Sequence, residues 1–235
     1  MINESLSPFI TGIEQLIFDG VPVVCRKCTF NPIYYSESLA IELLGTDLSF
    51  KLSHAVLNRK AEFLAGRILA ISLLNDLQYS NLKVDIGANR APVWPVSAKG
   101  SISHANQIAI CAVSTEKLGK RIGIDVEPLD SEVSTDLIET ILSEFEEDLL
   151  TKYGFVKSIA FSFAFSAKES LFKAIFPEVN YYFGFESATV NYINVNENVF
   201  KIILNVDLND TFTRGMEFSG RYVICECYLV TLIID

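Results

Sequence analysis

The sequence predicts an α+β chain built as two lobes, and three observations predict it. Two long segments, roughly Ser53 to Leu74 and Lys157 to Ile175, repeat apolar residues at helical spacing. Short apolar runs bounded by Gly, Asn or Asp lie on either side of each segment and read as strands. A polar stretch punctuated by Gly119, Thr115 to Lys120, separates the halves. The expected organisation is an N-terminal lobe of residues 1–118 and a C-terminal lobe of residues 119–235, each combining helices with an antiparallel sheet.

Taken in order, Val21 to Phe30 predicts a strand, and Ser36 to Leu44 a short helix that stops at Gly45. The first long helix places Leu57, Ala61, Leu64, Ile68, Ile71 and Leu74 along one stripe, with Ser53 as its N-cap and His54 inside it as a structural residue. Gly87 to Gly100, rich in Pro and Gly, predicts a loop, and short strands follow around Ser101 and from Ile108 to Val113. Beyond the junction, Arg121 to Val126 reads as a buried strand. Helices are predicted at Thr135 to Leu150 and Lys157 to Ile175, the second stopped near Pro177. Strand-like runs close the chain at Phe185 to Ile193, Val199 to Val206 and Tyr222 to Ile234.

Half of the 235 residues are apolar, enough for a substantial core. A formal charge of −10 excludes a protein that tracks a nucleic-acid backbone, which needs a basic surface. Any phosphate must therefore be gripped by a local cluster of Lys and Arg. Met1 to Phe9 carries acid and proline where a secretory leader needs a basic start and an apolar run, and no apolar stretch is long enough to span a bilayer. A cytoplasmic protein is expected. Cys25, Cys28, Cys111, Cys225 and Cys227 form no ligand quartet, so they read as reduced thiols on or near strands and imply no cofactor.

Four segments can carry chemistry. In Gly123-Ile124-Asp125-Val126-Glu127-Pro128 the two acids are two apart on a strand, about 6.6 Å between Cα atoms and on one face, where they can converge on one hard cation. A strand end with a solvated acidic face has the same pattern. In Phe165-Ser166-Ala167-Lys168-Glu169-Ser170-Leu171-Phe172-Lys173-Ala174, Glu169 and Lys173 share a helix face as a surface ion pair would, but Phe161, Phe163, Phe165, Leu171, Phe172 and Ile175 around them demand burial, which suits a pocket wall. In Arg59-Lys60-Ala61-Glu62-Phe63-Leu64-Ala65-Gly66-Arg67, Lys60 and Arg67 lie within about 20° on a helix and Arg59 within about 80° of Arg67, so one anion could be held from two sides; a solvated basic stripe is the alternative. Gly100-Ser101-Ile102-Ser103-His104 runs from a strand into a turn, and its histidine is either a ligand contact or a structural hydrogen-bonding residue.

Equally informative are the missing motifs. The chain has no G-x-x-x-x-G-K-[ST] loop, no G-x-G-x-x-G after a strand and no G-x-S-x-G elbow. Side chains, not a glycine loop, would have to hold phosphates.

Together and in this order, these segments resemble the 4′-phosphopantetheinyl transferases of the enterobactin-synthase, or siderophore, type. The resemblance begins near Phe30 and Pro32 and is strongest in Arg59 to Arg67, Arg90-x-Pro92-x-Trp94-Pro95, Ser101 to His104, Gly123 to Pro128, and Phe165 to Ala174. The commoner form of the last motif begins with Trp where this chain has Phe165, which keeps an aromatic. The resemblance implies a monomer of two pseudo-symmetric lobes with the active site in the cleft between them, using coenzyme A as co-substrate and Mg²⁺. It implies that Asp125, Glu127 and Glu169 are the metal set, and that Lys173 and Lys168 neutralise phosphate. It also implies that Arg59, Arg67 and His104 hold the 3′-phosphate, that Ser103 touches the pyrophosphate and that Arg90 lies beside the adenine; Lys60 and Lys99 are weaker additions.

On that resemblance the expected reaction moves phosphopantetheine from coenzyme A to a serine of an apo acyl, peptidyl or aryl carrier protein, releasing adenosine 3′,5′-bisphosphate. Asp125, Glu169 and Lys173 are the expected catalytic residues, with Glu169 as base and Glu127 as the alternative. Because such carriers tend to be acidic, as this chain is, an apolar docking patch is expected. The alternatives are a Mg²⁺-dependent hydrolase of coenzyme-A-like nucleotides, or a catalytically silent module that binds coenzyme A or a carrier.

Overall fold

The computed structural model describes residues 8–115, 121–129 and 133–235. The chain divides into two compact units, Met1–Gly119 and Lys120–Asp235. The junction expected at Thr115 to Lys120 lies, but for Thr115, outside the described residues.

In the first unit the order is β1 (Ile10–Leu16), β2 (Val23–Phe30), α1 (Glu37–Leu44), α2 (Thr46–Lys51), α3 (Leu57–Asp76), β3 (Asp85–Ile86), β4 (Pro92–Val93), β5 (Gly100–Ala105) and β6 (Ile108–Ser114). Four strands form an antiparallel sheet in the order β1-β2-β6-β5. Helix α3 lies across it, packing Ala61, Leu64, Ile68 and Leu69 into one core with Cys28, Ala109, Cys111 and Val113 of the sheet. The approach is close because Gly66 has no side chain: a Cβ there would stand 2.7 Å from Cγ2 of Ile102 on β5.

The second unit runs β7 (Ile122–Pro128), α4 (Thr135–Ile141), α5 (Glu144–Lys152), α6 (Lys157–Val179), β8 (Ala188–Asn194), β9 (Val199–Leu204), β10 (Glu217–Ile224) and β11 (Tyr228–Ile234). Its sheet is antiparallel in the order β7-β11-β10-β9-β8. Helix α6 packs Ala164, Ala167, Leu171 and Ile175 into a core with Val190, Phe200, Leu229 and Ile233. Both units are thus a long helix on an antiparallel sheet, the α+β class expected from the sequence.

The differences from the expected elements have local causes. Helix α3 starts at Leu57, because the backbone turns at Ser53 and Ala55, whose N–H groups donate to Phe50 and Leu52, and is extended at Val56. Ser53 is therefore no cap, and His54 lies outside the helix. The stretch expected as a loop holds a two-stranded ribbon, β3 with β4. The single helix expected at Thr135 to Leu150 is two, because a capping box of Ser143 and Glu146 begins a new helix at Glu144. The run Tyr222 to Ile234 folds back on itself through a turn at Cys225, whose N–H donates to the Tyr228 carbonyl. Pro177 does not stop α6: it sits in the last turn, and the helix ends at Asn180 with φ of 61°.

All five cysteines are free thiols; Cys25, Cys28 and Cys111 are buried on β2 and β6, and burial pushes Cys28 up to about 12. Among the described residues no helix is long and apolar enough to cross a membrane.

Candidate active site

The acids of the second unit meet where α6 crosses β7. A Cβ on Gly123 would lie 1.8 Å from the Ser170 carbonyl oxygen and 2.6 Å from the Ala174 nitrogen, so helix backbone rests directly on strand backbone. Three buried hydroxyls fix the register of that contact. Ser166 Oγ is 2.9 Å and Ser170 Oγ 2.7 Å from Thr231 Oγ1 on β11, and Ser170 also donates to the Thr231 carbonyl at 2.9 Å. The sequence pattern marks these residues only as small or β-branched, so their joint role emerges with the pairing of β7 and β11.

The register puts Lys173 opposite Asp125, with Nζ 2.5 Å from Oδ1. Asp125 is 2% exposed. Glu127, two residues on, is pushed up to about 8 by burial and by the charges of Asp125 and Glu169, against the opposing pull of Lys173. Glu169 is raised by burial and by Asp125, again opposed by Lys173. Three of the sequence-predicted acids and one predicted lysine are thus within mutual electrostatic reach. Among the described residues no group of three His, Cys, Asp or Glu side chains stands drawn together as a ready-made metal site. The donor chemistry nevertheless fits a hard divalent cation: the groups are carboxyls, without thiolate or imidazole, and the raised proton affinity of Glu127 and Glu169 reflects burial and crowding with Asp125 that a cation would relieve.

Beside Glu169 opens a pocket of about 280 Å³ walled by Phe172, Tyr182, Phe183 and Phe185. Lys168 contributes to the same wall but not as a free cation. It is 6% exposed, and its Nζ donates to the Ile141 carbonyl at 2.6 Å and to Glu146 at 3.0 Å. Lys168, expected to neutralise phosphate, has its ammonium engaged inside the unit. Glu146, fully buried, was not singled out in the sequence, although its capping-box spacing from Ser143 is legible.

In the first unit, Arg59 Nη1 lies 2.5 Å from His104 Nε2. A guanidinium has only donors, so Nε2 accepts and the ring proton belongs on Nδ1, which lies 3.4 Å from Glu62. Glu62 is also 3.4 Å from Arg59. Helix α3 and strand β5 thereby hold Arg59, Glu62 and His104 as one cluster; Glu62 was missed, although its spacing of three from Arg59 places it on the same helix face. Arg59 also lines a pocket of about 580 Å³ with Lys51, His54, Phe63, Gly87 and Arg90. Arg90 follows Asn89 in the tip of the β3–β4 ribbon, and both take positive φ, 62° and 53°, conformations that cost a non-glycine residue energy. His54, read from sequence as structural, is exposed at the rim of this pocket.

Other expected contacts lie elsewhere. Arg67 is 5% exposed; Nε donates to the Val84 carbonyl, Nη2 to the Asp85 carbonyl, and the guanidinium lies 4.2 Å from the Phe63 ring centroid. It anchors the start of β3, and it is not among the residues that line the pocket of Arg59 and Arg90. Ser103 is 6% exposed and, as the strand neighbour of His104, points to the opposite face of β5. Lys60 pairs with Glu37 at 2.6 Å, and Lys99 is exposed just before β5.

Residues 49–114 match the 4′-phosphopantetheinyl transferase N-terminal domain family, and residues 121–227 match the 4′-phosphopantetheinyl transferase superfamily. The chain is 34% identical to enterobactin synthase component D of Escherichia coli strain K12, over 84% of its own length and 89% of that protein. The chain belongs to the 4′-phosphopantetheinyl transferase superfamily. The transferase is also 24% identical to the 4′-phosphopantetheinyl transferase Npt of Nocardia iowensis, over 77% of its length and 85% of the relative. A third relative, the 4′-phosphopantetheinyl transferase Svp of Streptomyces mobaraensis, is 26% identical over 82% and 79%. In the transferase, the two matched regions take in both residue clusters described above.

Proposed function

We propose that this transferase moves the 4′-phosphopantetheine of coenzyme A onto a serine of an apo acyl, peptidyl or aryl carrier protein, with Mg²⁺, and releases adenosine 3′,5′-bisphosphate. The enterobactin synthase relatives support a role in siderophore biosynthesis. The observation that carries the reading is the placing of Asp125, Glu127 and Glu169 around Lys173 at the Gly123 seam.

In this reaction the serine oxygen bonds to the β-phosphorus, the bond from that phosphorus to the bridging oxygen of the nucleotide breaks, and the serine proton goes to a base. Asp125, Glu127 and Glu169 are the residues that would hold the Mg²⁺, which supplies positive charge to the phosphate oxygens. Lys173, fixed by α6, adds a second positive charge where negative charge accumulates. Glu169, whose proton affinity burial raises, is the proposed base; Glu127 is the alternative. In the first unit, Lys51, Arg59 and Arg90 around the basic pocket suit the 3′-phosphate and adenine of the nucleotide, with His104 orienting Arg59.

The test mixes purified protein with coenzyme A, Mg²⁺ and a panel of apo carrier domains and reads each carrier's intact mass. Gain of one phosphopantetheine, abolished by chelator and by changing the carrier serine to alanine, is the expected result. No gain on any carrier despite measured coenzyme A binding overturns it.

A further inference from the structure

Both chain neighbours of Glu169 are tied into buried polar networks. Ser170 bonds to Thr231 on β11. Lys168, on the other side, reaches Glu146, and that carboxylate joins several elements around α6. Its Oε2 accepts from the Ser143 N–H at 3.0 Å, the Ser143 hydroxyl at 2.8 Å and Lys168 Nζ at 3.0 Å; its Oε1 accepts from the Val190 N–H at 2.8 Å. Lys168 adds the bond to the Ile141 carbonyl at 2.6 Å. The cap of α5, strand β8 and helix α6 thus meet at a carboxylate with no exposure to solvent, and Lys168 adds the end of α4.

Stability alone does not account for such a pair. Taking two charges out of water costs several kcal/mol, and apolar residues of similar volume commonly serve the fold as well or better. What a buried, hydrogen-bonded pair supplies that apolar packing does not is direction: each bond has a preferred angle and length, so α6 cannot roll or slide without breaking one. Successive helix residues are about 100° apart, so the Lys168 and Ser170 tethers grip the helix on either side of Glu169.

We propose that the Glu146–Lys168 pair is a positioning device for Glu169, and that Lys168 does not contact the phosphates of the substrate. The proposal rests on the role given to Glu169 above. Lys168 is a positioning residue: it holds the helix turn that presents Glu169 and one wall of the adjoining aromatic pocket.

The test compares wild type, Glu146→Gln and the double variant Glu146→Leu with Lys168→Met, the last of which removes both buried charges together. Coenzyme A Kd is measured by calorimetry in chelator, and kcat and KM by carrier mass. The double variant is expected to keep its coenzyme A Kd within about threefold of wild type, since no phosphate contact is lost, while kcat falls about 10- to 100-fold, the effect of misplacing a reacting group by up to about 1 Å. Glu146→Gln is expected to show the same split in smaller degree, and it is read in place of the double variant if that one does not fold. A tenfold or greater weakening of Kd in a folded variant restores Lys168 to the phosphate and overturns the proposal. So does an unchanged kcat, which makes the pair structural only. If wild type transfers nothing, the reading of the reaction falls, and a weakened Kd still overturns the assignment of Lys168.

Discussion

Lys173 Nζ stands 2.5 Å from Asp125 Oδ1, forty-eight residues away in sequence, because Gly123 lets the backbone of α6 settle onto β7. Strand and helix each bring one half of the pair, and neither half is a site without the other. The contact also sets the electrostatic state of the cluster: Lys173 holds down Glu127 and Glu169, which burial and their acidic neighbours would otherwise raise further.

The first prediction concerns that seam. In Gly123→Ala the new methyl meets helix backbone at 1.8 Å, with no flexible side chain to give way, so α6 must shift. We expect a loss of about 1–3 kcal/mol in stability, as for overpacked cores, seen in urea melts, and a loss of transfer activity larger than the stability change explains. A variant with wild-type stability and activity would show that the seam is not required.

Removing Lys173 leaves Asp125, 2% exposed, beside two further acids. Lys173→Met should cost about 1–3 kcal/mol, the cost of an uncompensated buried polar group, moderated because the lysine side chain is 25% exposed. Millimolar Mg²⁺ should recover part of the melting temperature while activity stays low.

Glu127 gives a pH dependence of defined sign. Its carboxyl is raised to about 8 in the folded chain, above its unfolded value of 4.5, so the folded state binds the extra proton between those values. The stability it contributes is therefore present at low pH and lost as pH rises from about 4.5 through about 8. Glu127→Gln should flatten that decline in metal-free buffer, measured as melting temperature against pH; an unchanged slope would place the decline on other groups.

For the basic pocket, the discriminating ligand is coenzyme A lacking its 3′-phosphate. Arg59→Ala should weaken coenzyme A binding about 10- to 100-fold, the equivalent of one charge-assisted hydrogen bond. It should leave the dephosphorylated ligand nearly unaffected, and His104→Ala should follow it more weakly. Equal losses with both ligands would move Arg59 away from the 3′-phosphate.

Glu169→Gln separates base from ligand contact. Transfer should fall at least about a hundredfold, the lower end for a general base, while coenzyme A binding stays measurable by calorimetry. Loss of both together would count against the base role.

Much of this was legible in the sequence because it is written locally. Asp125 and Glu127 two apart on a strand, Glu169 and Lys173 four apart on a helix, and the apolar stripe from Leu57 to Leu74 each follow from the period of a single element. The sequence by itself therefore determined the α+β class, the two long helices and each local pair of charges. Tertiary structure decided what each charge faces. Arg67 and Lys168 carry the same charge as Arg59 and Lys173 and sit on the same helices, yet the first two are turned inward onto carbonyls and Glu146 while the last two line a pocket or meet Asp125. Periodicity gives an angle about a helix axis but not what lies beyond it. Burial and partner are set by strands and helices distant in sequence, at the approach distance that Gly66 and Gly123 allow.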